Sequence, residues 1–213
     1  MSHRSDPELR LLHSVRLLGF ADTDAIATRS GSTIDDATRF VRRAEGAGWL
    51  EHMTFAGLTG WFLTDSGRAE NERQLAAERN GTDPDGQITS AYRGFLTLNA
   101  RALRVITDWQ RSPAGGDPFA PNDHSDHVRD ARILDELADL NTLLVPVVDQ
   151  LSSVLQRFAD YAVRFEAALS RARDGQHRWV DGTDIDSCHR VWFQLHEDLV
   201  ATLGIDRRSE SSM

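Results

Sequence analysis

The apolar positions of the first 20 residues recur at helical spacing. Leu9, Leu12, Val15 and Leu18 line one side of residues 7–19, with Pro7 suited to a first turn and Gly19 to an end. Residues 23–29 predict a short second helix carrying Ala25 and Ile26, closed by Ser30-Gly31. A third helix begins at Ser32 or Thr33, where Ser32 has Asp35 three residues on, a capping-box-like start with acids in the first turn. Ile34, Ala37, Val41 and Ala44 predict its buried stripe, and Gly46-Ala47-Gly48 its stop. The period then shortens. Residues 49–55 and 60–64 are rich in aromatic and β-branched side chains and flank Ala56-Gly57-Leu58-Thr59, which predicts a β-hairpin. Ser66 or Gly67 opens a fourth helix running to about Arg79, and the turn formers of residues 80–86 mark a boundary between two parts.

The second part predicts only helices. Ile88, Tyr92, Phe95, Asn99, Leu103, Ile106 and Trp109 form one stripe, followed by a Pro/Gly/Asp-rich loop over residues 112–124 that is long for a compact domain. Ser125 can cap a helix bearing Val128, Leu134 and Leu137. Leu144, Val148, Leu151, Leu155, Phe158, Ala162, Phe165 and Leu169 keep one apolar face until Gly175, with Pro146 near the start as a candidate break. Residues 176–183 form a turn, a last helix spans 184–203, and the end is a tail. The expected fold is mainly α with an α+β wing: residues 1–80 as a winged helix-turn-helix, 81–87 as linker, 88–204 as an all-helical domain and 205–213 as tail. The stripes of residues 88–109 and 143–169 are candidate dimer surfaces.

Composition narrows the classes. The 213 residues carry a net charge of −9, and all 24 basic residues are Arg. With 40% apolar and 27% charged residues the chain is of globular type. The negative charge disfavours non-specific binding of nucleic acid or anionic membrane by the chain as a whole. A single cysteine, Cys188, forms no internal disulfide, and no run approaches 18 apolar residues. With four acids among the first 30 residues and no long apolar run there, we expect no signal peptide, no membrane partner and a cytoplasmic location.

The order helix, short helix, Gly turn, helix, hairpin, helix is that of a winged helix-turn-helix. Over residues 5–79 it resembles the DNA-binding domain of MarR-type transcriptional regulators. The resemblance rests on Ala25-Ile26-Ala27 leading through Gly31 into a recognition helix, on Ala44-Glu45-Gly46-Ala47-Gly48-Trp49-Leu50 entering the wing, and on Leu63-Thr64-Asp65-Ser66-Gly67 followed by Arg68. Thr64 or Ser66 caps the fourth helix, and Gly67 lets its first turn pack closely on the wing. The resemblance implies a third helix in the major groove of double-stranded DNA. Its outward set is Thr33, Asp36, Arg39, Arg42 and Arg43, with Thr38 and Arg29 nearby. Arg39 can pair bidentately with guanine, Thr33 and Thr38 can touch a thymine methyl or a phosphate, and Arg29, Arg42 and Arg43 can neutralise phosphates. Arg16 is a candidate further backbone contact. The wing tip, Phe55 to Gly60, carries no Arg, where the family's wing usually has a cation for the minor groove.

The helical remainder resembles regulators with a separate sensor domain, such as the FadR branch of the GntR family, which implies a metal held by a carboxylate and three His. That branch's ligand spacing is not found here. The candidate metal ligands are His124, His127, His189 and His196, with Cys188 adjacent; a site needs at least three of them to converge. A metal-free effector pocket can be drawn from Trp109, Phe119, Asn122, Asp123, His124, Trp179, His189 and Trp192, aromatic walls with a few polar groups. No nucleophile elbow, phosphate-binding loop, dinucleotide fingerprint or H-E-x-x-H is present, so no enzyme is expected and no resident cofactor is required. The expectation is a homodimeric, sequence-specific regulator controlled by a small-molecule effector. The alternatives are a winged-helix protein-interaction module, and a metal-dependent enzyme or metal sensor.

Overall fold

The computed structural model describes residues 2–55, 57–112 and 120–205. It is mainly helical with one two-stranded antiparallel sheet: α1 (Pro7–Leu18), α2 (Thr23–Ser30), α3 (Ile34–Gly46), β1 (Leu50–Phe55), β2 (Leu58–Leu63), α4 (Asp65–Thr82), α5 (Gln87–Gln110), α6 (His127–Val154), α7 (Tyr161–Arg173), α8 (Arg178–Asp181) and α9 (Cys188–Leu203). Two compact units are built from these. One takes His3–Pro84 and Glu197–Met213, the other Met1–Ser2 and Asp85–His196.

In the amino-terminal unit, capping chemistry sets the boundaries. Asp6 accepts from the Glu8 amide, Asp22 from Ala25 and Thr33 from Asp36, satisfying amides that each first turn leaves open. Gly31 adopts φ +63°, a left-handed conformation in which a side chain is strained, and so turns α2 into α3. Leu12, Val15, Ile26, Ala37, Phe40, Val41, Ala44 and Leu50 form the core. Ile34, expected in that stripe, is 45% exposed: the first turn of α3 is left uncovered, and Phe40 supplies the apolar bulk instead.

The hairpin pairs Leu50 with Leu63 through to Phe55 with Leu58, so β2 starts two residues earlier than the aromatic run suggested. Ala21, between α1 and α2, forms an isolated antiparallel bridge to β2 by exchanging both backbone bonds with Trp61 (3.1 and 2.8 Å). At the hairpin's exit Thr64 Oγ1 accepts from the Gly67 amide (3.0 Å) and donates to the Gly48 carbonyl (2.6 Å). A Cβ on Gly67 would lie 1.9 Å from the Trp49 carbonyl oxygen, so only glycine allows α4 this approach to the start of the hairpin.

The carboxyl-terminal end of α9 completes this unit, whereas residues 88–204 were expected to form one domain. Buried Asp198 lies 3.0 Å from Nε2 of His13, whose Nδ1 is 3.2 Å from Asn71 Oδ1, and Ala201 packs with Leu9 and Leu75. The polar and apolar sides of Glu197–Leu203 thus match partners on α1 and α4. Near the other expected boundary, the residues between α4 and α5 number 83–86.

In the helical unit, α5 packs along α6, and α6 along α7. Ile88, Phe95, Ile106 and Trp109 are buried in this unit's own core, so the stripe proposed for a dimer surface is already covered; Leu103 departs from it and is 55% exposed. Asp126, not Ser125, caps α6 by accepting from the Arg129 amide, and Val128 faces outward. The apolar run from Leu144 to Leu169 is two helices. The break falls not at Pro146, which sits inside α6, but after Val154, where Leu155 turns extended and a 3-10 turn spans Gln156–Phe158. Leu155, Phe158 and Tyr161 are all fully buried across the break, and so sustain the helical spacing.

Candidate functional sites

The first candidate site is the solvent face of α3. Thr33, Asp36, Arg39, Arg42 and Arg43 are all exposed, while Thr38 and Arg29 are half-buried. The Arg side chains differ in their freedom. Thr33 Oγ1 donates to Asp36 (2.6 Å) and Arg39 donates to the same carboxylate. The Thr33 hydroxyl, followed by the Arg39 charge, holds the Asp36 carboxyl below its usual range. Arg43 donates to Glu8 on α1 (2.6 Å). Arg42 has no ion-pair partner among the described residues. Arg16 is not an outward contact as expected. Its side chain is 7% exposed and bridges Glu197 (2.8 Å) and Glu72 (3.0 Å). The hairpin carries no Arg and exposes Met53 and Leu58.

The second candidate site lies in the helical unit. Asn122, His124 and Trp109 contact one another here, joined by Asp130 and His177, which sequence reasoning missed. Nδ1 of His124 lies 2.8 Å from Oδ2 of Asp130, a carboxylate in the first turn of α6 whose side chain is 8% exposed. Asn122 Nδ2 donates to the Trp109 carbonyl (2.9 Å) and to the other oxygen of Asp130 (3.1 Å), and its Oδ1 accepts from the His124 amide (3.2 Å). The Trp109 ring lies 4.5 Å from that of His124 and 5.4 Å from that of His177, and the two imidazoles are 4.6 Å apart. Among the described residues, His124, Asp130 and His177 form a set whose candidate ligand atoms all lie within 4.8 Å of one another. His124 has φ 59°, the one positive φ at a described residue other than glycine. His177 carried no spacing signal: it stands alone in Gly175-Gln176-His177-Arg178, and only the fold brings it to residue 124.

The remaining candidates disperse. His127 and Asp123 are exposed, and the Ser125 hydroxyl (2.7 Å) holds the Asp123 carboxyl below its usual range. His196 packs against the Phe95 ring. His189, Cys188 and Trp192 line a space of about 10 Å³ with Phe165 and Leu137, room for one water rather than an effector. Burial lowers the affinity of His189 for a proton and pushes the Cys188 thiol up to about 12, so that cysteine is an inert core residue. Trp179 lies under the Arg171 guanidinium (4.0 Å). No cavity described here is lined by all of the residues of the pocket drawn from sequence, and Phe119 lies outside the described residues. A larger cleft, about 770 Å³, lies in the amino-terminal unit between Trp49, Leu9, Glu8, Arg73 and Glu78. No helix among the described residues is long and apolar enough to cross a membrane. No family model, curated protein or solved structure matches this chain.

Proposed function

We infer that this protein is a DNA-binding transcriptional regulator of winged-helix type, similar in its amino-terminal unit to MarR-type proteins, with α3 as the reading helix. The observation that carries this reading is the combination of the α2–Gly31–α3 corner, the hairpin bridged to Ala21, and three Arg side chains on the outward face of the same α3. An exposed helix of that kind fits a major groove about 12 Å wide. Arg42 is free to neutralise a phosphate. Arg39 is held by Asp36 and reads guanine only by exchanging that carboxylate for O6 and N7, so base choice includes the cost of breaking the pair. A homodimer on a two-fold operator and a small-molecule effector complete the proposal.

A second reading is favoured by one observation: the reading face and wing expose Ile34 (45%), Met53 (41%) and Leu58 (66%), apolar side chains suited to a protein partner. The two separate by mutation. With duplex DNA from just upstream of the protein's own coding region, Arg39→Ala is expected to cost about 1–3 kcal/mol at one base position and relax preference there. Leu58→Ser is expected to leave the affinity unchanged. Anisotropy titrations against single-base variants of the duplex read both. No saturable binding of the duplex by the natural chain, or binding that Arg39→Ala leaves unchanged at every base variant, would favour the protein-partner reading.

A further inference from the structure

We propose that His124, Asp130 and His177 bind one divalent transition-metal ion of the zinc, cobalt and nickel group, with Asn122 and Trp109 holding the ligands in place. Metal binding here is independent of what α3 contacts.

Three segments distant in sequence deliver the ligands: the loop before α6, the first turn of α6, and the residue before α8. Their chemistry selects the ion. Two imidazoles and one carboxylate suit borderline ions, whereas magnesium and calcium take oxygen ligands. The spacing is near what an ion needs. With bonds of about 2.1 Å, two ligand atoms are at most about 4.2 Å apart, across the ion, and about 3 Å apart as neighbours. The His124–Asp130 separation of 2.8 Å already suits neighbours. The full set lies within 4.8 Å, so a shift of up to about 2 Å by His177, which is half-buried at the start of a four-residue helix, closes it.

The surroundings point the same way. Asn122 donates to one Asp130 oxygen, which fixes the carboxylate and leaves the other, beside His124 Nδ1, for the ion; metal sites orient their ligands in this manner. The Asn122 side chain also grips the His124 amide, at the residue with φ 59°. A left-handed conformation at a non-glycine residue costs free energy and persists where the surroundings impose it, commonly at functional sites. Trp109, 1% exposed, closes one side against both imidazoles, while half-buried His124 and His177 leave a route from solvent. Three protein ligands leave at least one position on the ion for water or an external anionic ligand.

The test titrates Zn²⁺, Co²⁺, Ni²⁺ and Mg²⁺ into the chelator-treated full chain, read by calorimetry and by the visible absorption of bound Co²⁺. One Co²⁺ per chain, displaced by Zn²⁺, is expected, with no saturable Mg²⁺ binding. His177→Ala and His124→Asn should each weaken Co²⁺ at least about tenfold, while His127→Ala should not. Unchanged metal-free melting shows that each variant folds. Absence of stoichiometric Co²⁺ or Zn²⁺ binding overturns the proposal. So does binding that survives His177→Ala undiminished, or that His127→Ala abolishes equally.

Discussion

Two residues show how closely the chain is fitted. Gly67 is required by space: with the Trp49 carbonyl 1.9 Å from any Cβ, Gly67→Ala must separate backbone from backbone. We expect it to cost at least about 2–3 kcal/mol in urea unfolding, at the upper end for overpacking. Gly81, with nothing within 4 Å and an ordinary helical φ, is the control. There Gly81→Ala should be neutral or stabilise by up to about 1 kcal/mol. His189 gives the pH dependence. Its desolvation disfavours the imidazolium, against a weaker pull from Asp181, so its folded pKa lies below the unfolded value of 6.5. The unfolded chain then takes up the proton first. This contribution to stability is complete above the unfolded pKa and is lost as pH falls from there through the folded value. Urea midpoints between pH 7.5 and 5 should therefore fall less steeply in His189→Asn than in the natural chain.

The elements show what periodicity can and cannot convey. The Pro7 helix start, the Gly31 corner, the hairpin and the Thr64 cap were legible because each rests on local backbone chemistry: Pro in a first turn, an αL glycine at a corner, Thr64 before Gly67. The break between α6 and α7 was not, because Leu155, Phe158 and Tyr161 stay buried through it and the spacing continues. Nor was the dual membership of α9, because it depends on pairings 181 and 185 residues apart, Arg16 with Glu197 and His13 with Asp198. These pairs explain why Glu197 and Asp198 follow His196: they are structural partners of α1 rather than parts of a histidine site. Removing one partner of a buried pair exposes the other's desolvation. Asp198→Ala is expected to destabilise the chain by about 3 kcal/mol, with Asp198→Asn costing less because the packing survives. Breaking the exposed Arg178–Asp184 pair should leave the melting temperature unchanged.

At the scale of the whole molecule the structure redistributes the charge. Split at residue 80, the chain carries −2 before and −7 after. The unit formed by residues 3–84 and 197–213 holds 12 Arg and 17 acids, a net of −5, and the rest −4. On the proposed role, a unit of that sign gains little from its overall field, so attraction to DNA must come from the few Arg of α3, two of which are paired in the free protein. The consequence is quantitative. Three Arg per chain, doubled in a dimer, bound the slope of log affinity against log salt at about −5. The most direct measurement is that slope, taken with the duplex from upstream of the protein's own coding region and with a scrambled duplex of equal length. Our reading predicts preference for the first duplex, a slope no steeper than this bound, and a loss of about one unit of slope per chain in Arg42→Ala. Equal affinity for both duplexes at every salt concentration, or a slope that Arg42→Ala leaves unchanged, would contradict it.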